Sequence, residues 1–195
     1  MKKYFPALQY LNVPNVITSV GMVFGIIACY FLAHGDLRAA LICLFFSGFM
    51  DLADGFFAGK LNQKTVFGQY VDSLVDFFIC CIIPIWIVFA FVGTNILLIA
   101  GLAFYCMGGL WRLAYFNVIA DKEYFTGLPV PGALFFVVAT IWMVVFYGFP
   151  IWVCVAILFL TGALMISCIR LAKYGFWQKS LWVLVVAFLV LVIVT

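Results

Sequence analysis

Apolar runs of about 20 residues, the length an α-helix needs to cross the hydrocarbon core of a bilayer, follow one another along nearly the whole chain. The breaks between them are short, as at His34 to Asp36 and Gly93 to Asn95. Such a pattern excludes a soluble globular domain. Only 9% of the 195 residues are charged, against about 25% in soluble proteins, which is too little polar surface to cover a fold in water. The runs are continuous rather than alternating, and 23 Phe are spread through them. Helices that satisfy their own backbone hydrogen bonds are therefore expected as the spanning elements, not barrel strands.

Polar and turn-forming breaks divide the chain into seven apolar segments, at 14–34, 37–60, 66–92, 95–118, 130–148, 150–171 and 178–195. The expected fold is an all-α integral membrane protein, a polytopic helical bundle of six core transmembrane helices with a seventh C-terminal segment. That last segment has about 18 residues and no polar tail, so it either spans or lies against the bundle. Residues 1–13 carry Lys2 and Lys3 but no long apolar run, and read as a short interfacial helix rather than a cleavable signal peptide. Residues 14–173 then form the membrane domain, and 174–195 the additional segment.

Lys2, Lys3, Lys60, Lys64, Arg112, Lys122, Arg170, Lys173 and Lys179 fall toward one side of these segments, and Arg38 alone falls on the other. The positive-inside rule makes the richer side cytoplasmic, which places the N-terminus in the cytoplasm of a multi-pass cytoplasmic-membrane protein. All seven Cys lie in apolar runs, with neither a disulfide framework nor zinc-type spacing. The net charge of +3 is small and scattered, which argues against nucleic acid as a partner.

The informative residues are acids placed where acids are costly. Asp51 and Asp54 stand three apart near the cytoplasmic end of the second segment, and Asp72 and Asp76 stand four apart near the start of the third. Either spacing puts both carboxylates on one helix face. The turn from Lys60 to Thr65 joins the two helices antiparallel, so both pairs converge at a similar depth. A charge inside the membrane costs at least a few kcal/mol and marks a cavity or a partner. Four carboxylates together repel one another unless a cation sits among them, and hard divalent ions such as Mg²⁺, Mn²⁺ or Ca²⁺ prefer carboxylate oxygen. A two-metal site is the simplest resolution, suited to holding a diphosphate and to stabilising charge on the attacking and leaving oxygens of phosphoryl transfer. The same spacing is open to other readings: protonated Asp bonded between helices, ion pairs with Arg112, or a path for protons or cations.

The string Asp51-Leu-Ala-Asp54-Gly55-Phe-Phe-Ala58, followed by Gly68, Asp72 and Asp76, resembles the signature D-x2-D-G-x2-A-R-x8-G-x3-D-x3-D of the CDP-alcohol phosphatidyltransferase family. Gly59 stands where the signature has Arg. Further stretches resemble the phosphatidylserine synthase branch over residues 14 to about 173: Pro14-Asn15 with Thr18, Phe67-Gly68, Asp72-Ser73-Leu74, Arg112-Leu-Ala-Tyr-Phe-Asn117 and Gly127-Leu-Pro-Val-Pro131. Tyr115, at a usually basic position, and the stretch Phe78 to Cys81 depart from that branch.

The resemblance implies transfer of a phosphatidyl group from CDP-diacylglycerol to the hydroxyl of L-serine, with release of CMP. It implies two divalent cations, Mg²⁺ or Mn²⁺, bound by Asp51, Asp54, Asp72 and Asp76, with Asp76 also deprotonating the acceptor. It further implies a nucleotide site at Asn15, Thr18, Asp54, Gly55, Ala58, Gly68 and Asp72, and a homodimer among membrane lipids. Arg112, with a fork suited to phosphate or carboxylate, and Asn117 are the candidates for the acceptor. Structural readings stand beside these: Asn15 as a helix cap, Thr18 bonded back to its own helix, Arg112 paired to an Asp of the motif, Asn117 as a cap. Pro129 and Pro131 shape the entry to the fifth segment, and His34 reads as interfacial, on the side away from the acids. Lys60 turns about 100° from Gly59 on a helix and takes over the missing charge only if the helix ends there. Alternative functions are the same transfer to glycerol 3-phosphate or inositol phosphate, a protein handling cations or protons, and a non-catalytic lipid-binding relative.

Overall fold

The computed structural model describes residues 4–119, 124–172 and 176–194; Lys2, Lys3, Lys122 and Lys173 lie outside the described residues. A 3₁₀ turn at Pro6–Tyr10 leads into α1 (Val13–Ala33) and α2 (Leu37–Lys60). Then come α3 (Val66–Val92), α4 (Ile96–Val118), α5 (Val130–Tyr147), α6 (Ile151–Met165) and α7 (Phe176–Val194). Helices α1 to α5 are each long and apolar enough to cross a membrane. The starts of α1 to α4 are set by short polar side chains: Asn12, Asp36, Thr65 and Asn95 accept from the backbone N–H groups of Asn15, Ala39, Gly68 and Leu98, which would otherwise lack partners in a first turn. Pro129 and Pro131 open α5 as anticipated.

The sixth segment is shorter than the expected 150–171. Its helix ends at Met165, about 22 Å of rise against the roughly 30 Å of a hydrocarbon core. The connection from α4 to α5 takes the carbonyls at this end, with the Leu128 N–H donating to Leu164 O at 3.0 Å and the Gly127 N–H to Ile169 O at 2.8 Å. The chain then runs antiparallel, Arg170–Ala172 (β2) pairing with Tyr124–Thr126 (β1). Gly127 (φ +76°) makes this approach possible, because a Cβ there would stand 2.2 Å from Met165 O. This three-residue ribbon leaves the architecture all-α.

Packing divides into two helix groups. In one, α1 lies along α2, with Gly21 letting Met50 come within 3.3 Å of its absent Cβ. In the other, α4 and α6 meet on glycine: a Cβ on Gly108 would lie 2.7 Å from Gly162 O, and one on Gly162 would lie 2.7 Å from the Phe104 ring. Helix α3 runs between them and contains π turns at Phe78–Ile82 and Val88–Val92. Pro84 within α3 has no N–H to offer Cys80 O, four residues back. The hydroxyl of the fully buried Tyr105 on α4 donates to that carbonyl instead, at 2.8 Å. Helix α7 packs by Phe188, edge-on to Phe135 and Trp142 of α5. Large apolar side chains such as Val23, Tyr30, Ile96 and Trp111 point outward, as expected of a surface that faces lipid.

Among the described residues before α1, helical structure is a single exposed 3₁₀ turn at Pro6–Tyr10. Tyr10 stacks on Phe67 at the start of α3, with ring centroids 4.6 Å apart, and its carbonyl accepts from Asn15 Nδ2 at 2.9 Å.

Candidate functional site

The reversal after Lys60 sets the last turns of α2 against the first turns of α3, and the two acid pairs converge. One carboxylate oxygen from each of Asp51, Asp72 and Asp76 lies within 4.8 Å of the others, and all three residues are half-buried. Asp54 is buried and turned toward α1, where it accepts a hydrogen bond from Thr18 Oγ1. That hydroxyl is also 3.1 Å from Pro14 O, so its single proton is shared between a ligand-like carboxylate and its own helix. The reading of Thr18 as bonded back to its own helix is realised, and the same hydroxyl also reaches Asp54.

The four acids line one cavity with Thr18 and Gly48, and Pro131 and Leu134 of α5 line it as well. Its free volume is about 40 Å³, room for ions and water but not for a nucleotide. The acid cluster at its wall offers only oxygen, half-buried and from three side chains on two helices. That donor set fits a hard divalent cation.

Other residues singled out from sequence are placed less directly. Asn12, not Asn15, caps α1; the Asn15 amide instead holds Tyr10 O and fills the space over Gly68, where a Cβ would stand 2.6 Å from Asn15 Oδ1. Gly55 differs: a Cβ there would meet nothing within 4 Å. Asn117 does not cap α4. Its Nδ2 donates to Ser73 Oγ at 2.9 Å, beside Asp72. Arg112 is buried and lies over the Phe116 ring, at 5.5 Å from its centroid. It lines a separate cavity of about 420 Å³, with Trp111, Tyr115, Thr126 and Ser167. His34 is exposed at the end of α1, its Nδ1 2.8 Å from Tyr30 O.

Several lining residues were not read as part of the site from sequence, Ser47 and Pro131 among them. Ser47, one helical turn before Asp51, lines the acidic cavity and bonds Gly21 O at 2.9 Å; its spacing of four from an acid was a usable signal. Pro131 reaches the cavity only through tertiary packing, which no local pattern announces.

The family model for CDP-alcohol phosphatidyltransferase matches residues 11–168. The chain is 36% identical over 66 residues to the CDP-diacylglycerol–glycerol-3-phosphate 3-phosphatidyltransferase of Aquifex aeolicus, covering 34% of this chain and 37% of that protein. It is 28% identical over 124 residues to the CDP-diacylglycerol–serine O-phosphatidyltransferase of Bacillus subtilis, covering 62% and 70%. The match to the CDP-diacylglycerol–serine O-phosphatidyltransferase of Methanocaldococcus jannaschii is longer, 26% identical over 170 residues, covering 87% and 78%.

Proposed function

Starting from the fact that this chain belongs to the CDP-alcohol phosphatidyltransferase family, we propose that it transfers a phosphatidyl group from CDP-diacylglycerol to the hydroxyl of L-serine, giving phosphatidylserine and CMP. The observation that supports this most is the meeting of Asp51, Asp72 and Asp76, whose oxygens lie within 4.8 Å of one another inside a membrane helix bundle. Divalent cations held there, Mg²⁺ or Mn²⁺, supply positive charge to the diphosphate of the donor. Asp54, fixed by Thr18, completes the acidic wall and orients the ligands beside it.

In this reading Asp76 takes the proton from the serine hydroxyl. The hydroxyl oxygen forms a bond to the phosphorus that carries the diacylglycerol, the bond from that phosphorus to the CMP oxygen breaks, and CMP leaves with the electron pair. Because the acidic cavity is too small for a nucleotide, the cytidine is assigned to the open face of α2 at Gly55 and Ala58, with Asn15, Thr18 and Gly68 below it. Asn117 orients Ser73 next to Asp72. The Arg112 cavity offers a guanidinium to an acceptor carboxylate. Serine is favoured as acceptor because two relatives matched over 70% and 78% of their length are serine O-phosphatidyltransferases. The basic residues of the α2–α3 turn support a site on the cytoplasmic face of the cytoplasmic membrane, and the family resemblance supports a homodimer.

The test is CMP release by purified protein in detergent with CDP-diacylglycerol and Mg²⁺ or Mn²⁺, offering serine, glycerol 3-phosphate and inositol phosphate separately. Metal-dependent release with serine, abolished by Asp76→Asn, is the expected result. Release only with a phosphorylated acceptor overturns the serine assignment, and no release with any acceptor overturns the reaction.

A further inference from the structure

We propose that α7 is a side wall for the acyl chains of the donor, roofing a seam between α2 and α5 through which the acidic cavity opens to the bilayer, with Val185 and Phe188 shaping the path of the chains. The inference rests on the donor assigned above. A phosphorus held at the acids carries diacylglycerol, whose two chains do not fit a space of about 40 Å³, so they have to leave the cavity sideways into lipid. Among the described residues α1 packs along α2, and α3 packs on both α1 and α5, whereas α2 and α5 hardly meet. The cavity lining agrees. Thr18 and Leu44 are buried, but Pro131 is exposed and Gly48 is half-buried, with nothing within 4 Å of its absent Cβ. At the end away from the acids the seam is shut, where Arg38 of α2 lies over the Phe146 ring of α5, 5.3 Å from its centroid.

Helix α7 covers this seam. It begins at Phe176, beyond the residues 11–168 that the family model matches, and it packs on both α2 and α5. Along its second half Val185, Phe188 and Leu189 are half-buried and Val192 is buried, while Val183, Leu184, Val186 and Val190 are exposed. Spacings of three and four put the first set on one face, turned to the bundle. Phe188 fixes the level, its ring edge-on to Phe135 and Trp142 with centroids 5.8 and 6.1 Å away. Helices α5 and α7 both rise from the β1–β2 ribbon, so Val185, about 4.5 Å nearer the ribbon than Phe188, comes close to the level of Leu134. Leu134 lies about 18 Å from Phe146 along α5, and Gly48 about 15 Å from Arg38 along α2, which sets the two opposite each other at the cavity mouth. Lipid tails are as apolar as these side chains, so the wall adds little affinity for a chain that fits and acts by excluding one that does not.

The experiment uses the full chain in detergent with Mn²⁺ and measures donor KM and kcat together with inhibition by CMP, which shares the nucleotide and lacks the chains. Val185→Trp, which enlarges the inner face at the mouth, is expected to raise donor KM on the order of tenfold, with kcat and the CMP inhibition constant within about twofold. Val183→Trp, on the exposed face, is expected to change none of the three. In a second measurement, CDP-diacylglycerol with a photoreactive diazirine on one acyl chain is expected to label residues 185–192 of the wild-type chain, and excess unlabelled CDP-diacylglycerol, but not phosphatidylcholine, to remove the label. Unchanged donor KM in Val185→Trp, an effect that falls equally on CMP, or label on α7 that the unlabelled donor does not remove overturns the inference while leaving the reaction standing. Displaceable label on α7 with no CMP release from any acceptor overturns the reaction and keeps the wall. Wild-type protein that does not bind the donor overturns both.

Discussion

Glycines where α4 meets α6 and glycines along α2 do opposite work in this bundle. Between α4 and α6, Gly108 and Gly162 are crowded, with backbone or a ring 2.7 Å from each absent Cβ. In the acidic half, Gly48 and Gly55 on α2 face open space, with nothing within 4 Å. A small residue that lets two helices touch gives van der Waals contact. One that faces nothing weakens its helix by roughly 0.5–1 kcal/mol relative to alanine and gets no packing in return. The contrast separates a half built to hold shape from a half built to admit something.

The largest test of that contrast removes a carboxylate from the open half. Asp76→Asn is expected to lower CMP release by roughly 10²–10⁴-fold, the range typical of a lost general base, while the thermal unfolding curve in detergent keeps its midpoint or shifts upward. In the crowded half the same kind of change acts on stability. Gly162→Val drives a branched side chain into Phe104, and should cost about 3 kcal/mol in unfolding measurements; a neutral result would show that α4 and α6 are free to part. Tyr105→Phe comes next, leaving Cys80 O without the donor that Pro84 denies it, for a loss of about 2 kcal/mol. The smallest effect discriminates best. Gly55→Ala should raise stability by roughly 0.5–1 kcal/mol and yet raise donor KM severalfold. A stabilised variant with unaltered KM would show that no ligand lies along this face.

Much of this arrangement could be read before any coordinates. Continuous apolar runs broken at Asp36, Thr65 and Asn95 placed α2 to α4 closely, because each cap stands just before its run, whereas the cap of α1 is Asn12 and not the expected Asn15. The acid pairs were legible because their spacing is helical and their connection short, two local facts that fix a long-range meeting. What failed was non-local. The end of α6 at Met165 is set by Gly127 and Leu128 reaching across from another connection, and residues 166–171 are apolar enough to look like more helix. Arg112 belongs to the same class, since its sequence neighbours say nothing of the cavity it shares with α6. Likewise, that the Lys64 side chain lies over Gly59 depends on the sense of a turn, and the dihedral of Asn62 is not written in its neighbours.

The order in which the cavity's walls are made gives the arrangement a history. The four acids, and the Thr18 that holds Asp54, all belong to α1, α2 and α3, whereas Pro131 and Leu134, which line the cavity opposite them, belong to α5. A ribosome therefore hands the membrane a cluster of carboxylates well before it hands over the wall that encloses them. Through that interval the acids need protons or cations from outside to offset their repulsion, and α5 then closes over a pocket whose charge has already been balanced.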